Sequence, residues 1–252
     1  AINLAASIAA AERRCLLVDC DPQGNATTGL GMDPTTLQRG LYDLLMAESN
    51  AGGVVLETPF SRLSLIGATR DLVGVEVELV SLDKKEYRLR RGIRVFREQY
   101  DYIFLDCPPS LGFITVNALA AADSLLIPLQ CEYYALEGLS KLEHTARAIK
   151  MGLNPALRPG EILLTMADAR NNLSRLVEDD VRAHYGNRVL DTVIPRNVRL
   201  SEAPSHGLPV LAYDIRSKGA QSYLALAKEL MGRIGQDEKE ESPRERVVGV
   251  DS

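Results

Sequence analysis

Three carboxylates of this 252-residue chain are placed to do chemistry: Asp19, Asp21 and Asp106. Asp19-Cys20-Asp21-Pro22-Gln23-Gly24-Asn25 closes the apolar run Cys15-Leu16-Leu17-Val18. Asp106 closes a second run, Tyr102-Ile103-Phe104-Leu105, ahead of Cys107-Pro108-Pro109-Ser110. Acids gathered at one place can hold a divalent cation, largely through water, and can orient a water against a phosphate. Each also has a plainer reading. Asp106 would cap a helix beginning near Leu111, and Asp21 with Asn25 would stabilise a turn. Residue type and spacing leave both pairs of readings open. Asp19 and Asp21 stand two apart on a strand and so share a side, but Pro22 ends the strand and lets Asp21 turn separately.

The elements that must position these acids follow from the apolar pattern. An unbroken apolar run closed by turn residues reads as a strand buried on both faces of a parallel sheet. The carboxyl ends of such strands are where open α/β sheets hold ligands. Strands are expected at Cys15–Asp19, Leu63–Ile66, Tyr102–Asp106, Ser124–Pro128, Glu161–Met166 and Arg188–Ile194. Helices are expected at 1–11, 41–47, 72–100, 112–121, 135–151, 171–185 and 218–234, with a loop at 24–31. Strand and helix alternate, which implies an α/β fold with a doubly wound, mostly parallel sheet and helices on both faces. One domain covers 1–234. The charged tail 235–252, poor in apolar residues, is expected to be disordered.

Composition narrows the classes. The chain is 46% hydrophobic with a net charge of −5, which argues against coating nucleic acid with the whole surface but permits a local basic patch. No window is long and apolar enough for a membrane helix. Cys15, Cys20, Cys107 and Cys131 form no C-x-x-C pair and fall mostly in strands, the usage of reduced thiols in a cytoplasm. Seven basic residues crowd 84–97, and a solvated helix face is the plain reading. His144, His184 and His206 are scattered, which disfavours a histidine metal site. Cys20 and Cys107 lie beside the acids without a base partner, so thiol catalysis is not expected. Tyr133 and Tyr134 should pack against the sheet or at an interface.

Four segments, taken together, decide between the open readings: Asp19–Asn25, Leu105–Ser110, Gln130–Gly138 and the block Val193-Ile194-Pro195-Arg196-Asn197-Val198-Arg199-Leu200-Ser201-Glu202-Ala203-Pro204-Ser205. They resemble, collinearly to about Ile234, the ParA/Soj family of deviant-Walker ATPases that segregate bacterial chromosomes and plasmids. The resemblance implies that Asp21 acts on the attacking water and that Asp106 is the Walker B acid holding Mg2+ through water. It implies that Met166, Pro195, Arg196 and Asn197 line the adenine pocket, and that Arg170 and Arg199 bind DNA without sequence preference. It further implies ATP and Mg2+ as cofactors, an ATP-dependent homodimer, a ParB-like centromere-binding partner that stimulates hydrolysis, and a cytoplasmic, nucleoid-associated protein without a membrane role.

One departure from the family is marked. Its phosphate loop, K-G-G-V-G-K-T-T, belongs immediately before the helix that starts at Ala1, and this sequence contains none. Those backbone amides and lysines supply most phosphate recognition. The chain is therefore expected to be an N-terminally truncated ATPase that binds ATP poorly and hydrolyses little, with neighbouring strand edges left unpaired. Alternatives are a MinD-like membrane-cycling ATPase, for which the acidic tail offers no amphipathic anchor, and a non-enzymatic DNA-binding or dimerisation remnant. A metabolic ATPase of the same superfold is disfavoured by the 193–205 block.

Overall fold

The computed structural model describes residues 1–46, 52–132, 135–168 and 170–241. Tyr133 and Tyr134 lie outside them. In chain order the elements are α1 (Ile2–Ala10), β1 (Cys15–Asp19), α2 (Asn25–Gly29), α3 (Leu41–Met46), β2 (Leu56–Glu57), β3 (Leu63–Ile66), α4 (Val75–Leu79), α5 (Arg88–Ile93) and β4 (Tyr102–Asp106). They continue with α6 (Phe113–Ala121), β5 (Leu126–Gln130), α7 (Ala135–Gly152), β6 (Glu161–Thr165), α8 (Asn172–Tyr185), α9 (Val198–Glu202), α10 (Val210–Tyr213) and α11 (Lys218–Glu241).

β1 is the centre. It pairs in parallel with β3 on one side, Leu17 against Leu65, and with β4 on the other, Asp19 against Asp106. The short β2 runs antiparallel along β3. β5 and β6 form a separate parallel pair, Leu126 against Glu161 through Gln130 against Thr165. The expected mostly parallel sheet with helices on both faces is present, divided into these two parts. Alternation along β1 sorts the core into two layers. Leu16, Val18 and Cys20 pack with α3, α5 and α6, while Cys15 and Leu17 pack with α1 and α11. A third cluster joins Ile127, Leu129, Ile162 and Leu164 to Val177 and Val181 of α8. Each buried aliphatic side chain is worth about 1.5–3 kcal/mol, so these layers fix where the strand ends fall.

Four expectations are corrected. The helix expected over 72–100 is a chain of short pieces, with Lys84 in the left-handed region at φ 50°. Asn117 of α6 stitches the break, its Nδ2 donating to Lys85 O (2.8 Å) and its Oδ1 accepting from Leu89 N (3.1 Å). The strand expected at Arg188–Ile194 is reduced to single bridges, Ile162 to Val189 and Ala167 to Pro195. Its middle amides are taken by a side chain instead: Asp191 N and Thr192 N donate to the Glu229 carboxylate at 2.8 and 2.9 Å. The 24–31 loop contains α2, and α11 continues beyond Ile234 to Glu241.

Candidate functional site

The acids of β1 and β4 meet at the carboxyl edge of the larger sheet. Asp19 is fully buried. Its Oδ2 accepts from Thr27 N (2.7 Å) and Thr27 Oγ1 (2.6 Å), and its Oδ1 from Asp21 N (3.2 Å). Thr27 Oγ1 in turn accepts from Ala68 N (2.9 Å), just past β3. One carboxylate thus ties together β1, the Asp21 turn, α2 and the end of β3. Burial pushes the Asp19 carboxyl up, the Thr27 and Asp21 bonds oppose this, and the charge of Asp106 adds to the rise. Thr27 was not singled out from the sequence. Its only signal was a threonine in a polar loop near two acids.

Asp21 sits in the turn that the plainer reading describes. Its Oδ1 accepts from Gln23 N (2.9 Å), its Oδ2 from Asn25 Nδ2 (3.4 Å), and its carbonyl from Gly24 N (2.9 Å). Gly24 has φ 65°, and a Cβ there would stand 3.1 Å from Pro34 Cγ, so the turn requires glycine. The half-buried carboxylate is held at the sheet edge by these bonds, a geometry compatible with a role toward a bound water. For Asp106 the capping reading fails. α6 starts at Phe113 behind Gly112, with no side-chain cap.

Beside Asp106 opens a trough of about 2390 Å³. Its walls are the outer edges of β4 (Ile103 to Asp106) and β5 (Leu126, Ile127), the end strands of their sheets among the described residues. α6 closes it on one side through Ala118 and Leu119. Leu4 of α1 and Leu226 of α11 close it on the other. Two parallel edges between two helix layers make a cleft of strand shape, with Ala1 at its margin. α1 begins there with Ala1 as its N-cap, no side-chain cap and no acid in the first turn, so its first amides face no competing carboxylate of their own helix.

The remaining candidates lie on the same edge or beyond it. Met166 follows β6 with φ 56°, and Ala167 bridges Pro195, which brings the 195–197 loop beside it. Arg196 pairs with Glu132 at 3.3 Å, and Asn197 caps α9 by accepting from Arg199 N. None of these four lines the trough, whereas Thr165, next to Met166, does. Arg170 is held by Asp168 through both guanidinium and backbone, at 3.0–3.1 Å, and the same bonds, side chain first, hold the Asp168 carboxyl at about 2. Arg199 lies between Glu202 (2.7 Å) and Asp214 (3.4 Å), over the Tyr213 ring. Both arginines are surface groups already occupied by carboxylates.

Of the basic run, Lys84, Arg90, Arg91, Arg94 and Arg97 are exposed, as a solvated face requires. Arg88 is the exception: it is buried, and its Nε has no hydrogen-bond partner among the described residues. No group of three or more His, Cys, Asp or Glu among the described residues could enclose a metal. Asp106, half-buried at the end of β4 beside the trough, offers the single carboxylate with which Mg2+ can be held, since that ion takes one or two carboxylates and completes its shell with water and phosphate oxygens.

A parallel sheet between helix layers, with acids on its carboxyl edge, defines an α/β protein with a P-loop NTPase-like fold. The chain belongs to the ParA/Soj family. Residues 1–159 match the AAA domain family. The chromosome partitioning protein ParA of Myxococcus xanthus is 54% identical over 98% of this chain and 86% of its own length. The sporulation initiation inhibitor protein Soj of Bacillus subtilis is 50% identical over 91% and 90%. Among solved structures, a protein from Mycobacterium smegmatis titled cobyrinic acid a,c-diamide synthase, with bound ATP analogue and magnesium, superimposes with a TM-score of 0.79. It is 33% identical, covering 91% of this chain and 86% of its own. No described helix is long and apolar enough to cross a membrane.

Proposed function

We propose that the chain is an ATP-dependent chromosome or plasmid partitioning protein whose switch is assembled at the carboxyl edge of the β1–β4 sheet. The observation that carries this reading is the trough that runs along β4 past Asp106 to Pro109 and is lined also by Ala1. A parallel strand supplied by chain preceding Ala1 fills it, and a glycine- and lysine-rich phosphate loop then leads into α1. The uncapped start of α1 would face the phosphates of ATP, Asp106 would hold Mg2+ through water, and Asp21 would orient the attacking water. Met166, Pro195, Arg196 and Asn197 flank the adenine. In the ATP-bound homodimer Arg170 and Arg199 exchange their carboxylates for DNA phosphates, and a ParB-like partner stimulates hydrolysis and release. The magnesium and ATP analogue in the M. smegmatis neighbour support the nucleotide part of this reading.

The test compares the chain from Ala1 with a form extended by whatever is encoded immediately upstream, measuring ATP turnover and retention on duplex DNA. The extended form should hydrolyse ATP and stay on DNA only with Mg-ATP. In that form Asp21→Ala should abolish turnover and trap the protein on DNA. Arg199→Glu should release it while leaving ATP binding intact, since phosphate contacts carry sequence-blind affinity. Retention that ignores nucleotide would replace the switch by a DNA-binding remnant. Normal turnover in Asp21→Ala would remove that residue from catalysis.

A further inference from the structure

Directly beyond the paired acids stands a pair of cysteines that the nucleotide reading leaves unused. The β1–β4 register, Cys15 against Tyr102 through Asp19 against Asp106, continues by one residue to set Cys20 opposite Cys107. Cys20 N donates to Asp106 O at 2.9 Å, so the two chains are still hydrogen-bonded at this point. Both thiols belong to one face. Leu16, Val18 and Cys20 share a layer with Ile103 and Leu105, and the alternation that places 103 and 105 there places 107 there too. Cys107 is the first influence on the Cys20 thiol, as a neighbour across the strand pair must be, and Cys107 Sγ itself donates to Leu105 O at 3.7 Å. Neighbouring strands run about 4.8 Å apart, within the ~4.4–6.8 Å of Cα separation that a disulfide spans. Exposure is divided between them: Cys107 is exposed and Cys20 lies buried beneath it, while Cys15 and Cys131 are buried elsewhere.

We propose that Cys20 and Cys107 form a reversible dithiol–disulfide pair, a redox modification site on the face of the sheet opposite Asp19 and Asp106. The oxidant is a peroxide, and the exposed sulfur meets it first. Cys107 sulfur attacks the O–O bond, giving a sulfenic acid and releasing water from hydrogen peroxide, or an alcohol from an alkyl peroxide. Cys20 sulfur then attacks the Cys107 sulfur. The S–O bond breaks, and the departing hydroxyl leaves as water with the Cys20 proton. Two thiols are oxidised by two electrons, and one peroxide is reduced. A small dithiol reverses the step by exchange. The bond ties the ends of β1 and β4 just where Asp21 and the Pro108-Pro109 segment leave the sheet. In a reducing compartment such a bond is transient, the form expected of a redox sensor.

The experiment treats the full chain with hydrogen peroxide and reads free thiols, intact mass and a peptide map. Two of the four thiols should be lost, with the mass falling by two hydrogens. A peptide joining Cys20 to Cys107 should appear, and dithiothreitol should restore all of it. Cys107→Ser should keep its remaining thiols. Cys20→Ser, which preserves the exposed sulfur, should accumulate sulfenic and then sulfinic acid on Cys107. Further oxidation of Cys107 in the unsubstituted chain with Cys20 still a thiol would overturn the proposal. So would Cys107–Cys107 linkage between copies, or thiols untouched by peroxide. These readouts do not involve nucleotide or DNA, so they stand or fall apart from the partitioning reading.

Discussion

β1 and β4 are written almost alike, an apolar run ending Asp-Cys, yet the chain treats them differently. Every residue of β1 is buried, whereas every residue of β4 is only half-buried. The cause is pairing. β1 has β3 on one side and β4 on the other, while β4 has β1 on one side and the trough on the other. A run such as Tyr102-Ile103-Phe104-Leu105 is the composition of a central strand, since an edge strand facing water normally carries charges or proline. The difference teaches that two runs of the same composition can differ in burial because of what pairs beside them, and that the second edge of β4 is where the proposed strand would bury it.

The largest effect that would break this comparison comes from matched truncations. Leu16 and Leu105 face the same layer. Leu16→Ala should cost about 3–4 kcal/mol in urea unfolding of this chain, and Leu105→Ala about 1–2, because a half-buried leucine leaves a smaller cavity. Equal losses would mean that β4 is already fully packed and the trough is no strand site. If a strand does fill the trough in an extended form, the Leu105→Ala cost should rise toward that of Leu16→Ala.

Much of the fold and site was legible for the same reason that β1 and β4 are alike. Apolar runs ended by Asp, Pro and Gly located both acid-bearing strands to the residue, and Asp19 and Asp106 do face each other. What could not be read depends on partners distant in sequence. The break in the 72–100 helix is made by Asn117, and the failed strand at 188–194 loses its amides to Glu229. Neither capture has a local signature. The spacing of Asp19 and Asp21 left a turn and an acid site equally open, and the turn is visibly formed. Its bonds hold the acid in place, so the turn and a chemical role are compatible. Arg170 and Arg199 came from resemblance alone, and their carboxylate partners Asp168, Glu202 and Asp214 were not foreseen.

Thr27 offers the next sharpest contrast between the two strand ends, because it serves Asp19 and has no counterpart at Asp106 among the described hydrogen bonds. Thr27→Val keeps the shape and the backbone donor but removes the hydroxyl that joins Asp19 to Ala68. Leaving one lobe of a buried carboxylate and one amide without that partner should cost about 2–3 kcal/mol. Asp106→Asn, on the half-buried strand, should cost less than 1 kcal/mol by the same measurement. A Thr27→Val variant as stable as the parent would show that water replaces the hydroxyl and that Asp19 does not depend on it.

The smallest effect concerns pH and sets the β1 acid against Asp101, just before β4. Asp101 accepts from Arg14 through side chain and backbone, at 2.9 and 2.7 Å, and these bonds hold its carboxyl at about 2. Its folded value lies below the unfolded one. Its contribution is therefore present above the ordinary carboxylate range and fades as pH falls toward about 2. Asp19 runs the other way. Burial raises its folded value, so its protonated form favours the fold, and that advantage is full below the ordinary range and is lost as pH rises through the raised value. Asp19→Asn should therefore remove a decline in stability above about pH 4, and Asp101→Asn should remove a decline below it. Thermal unfolding of both variants across acid pH reads the two slopes. If Asp19→Asn leaves the upper slope unchanged, the Thr27 and Asp21 bonds outweigh burial, and the carboxylate at the end of β1 is ionised as readily as an exposed one.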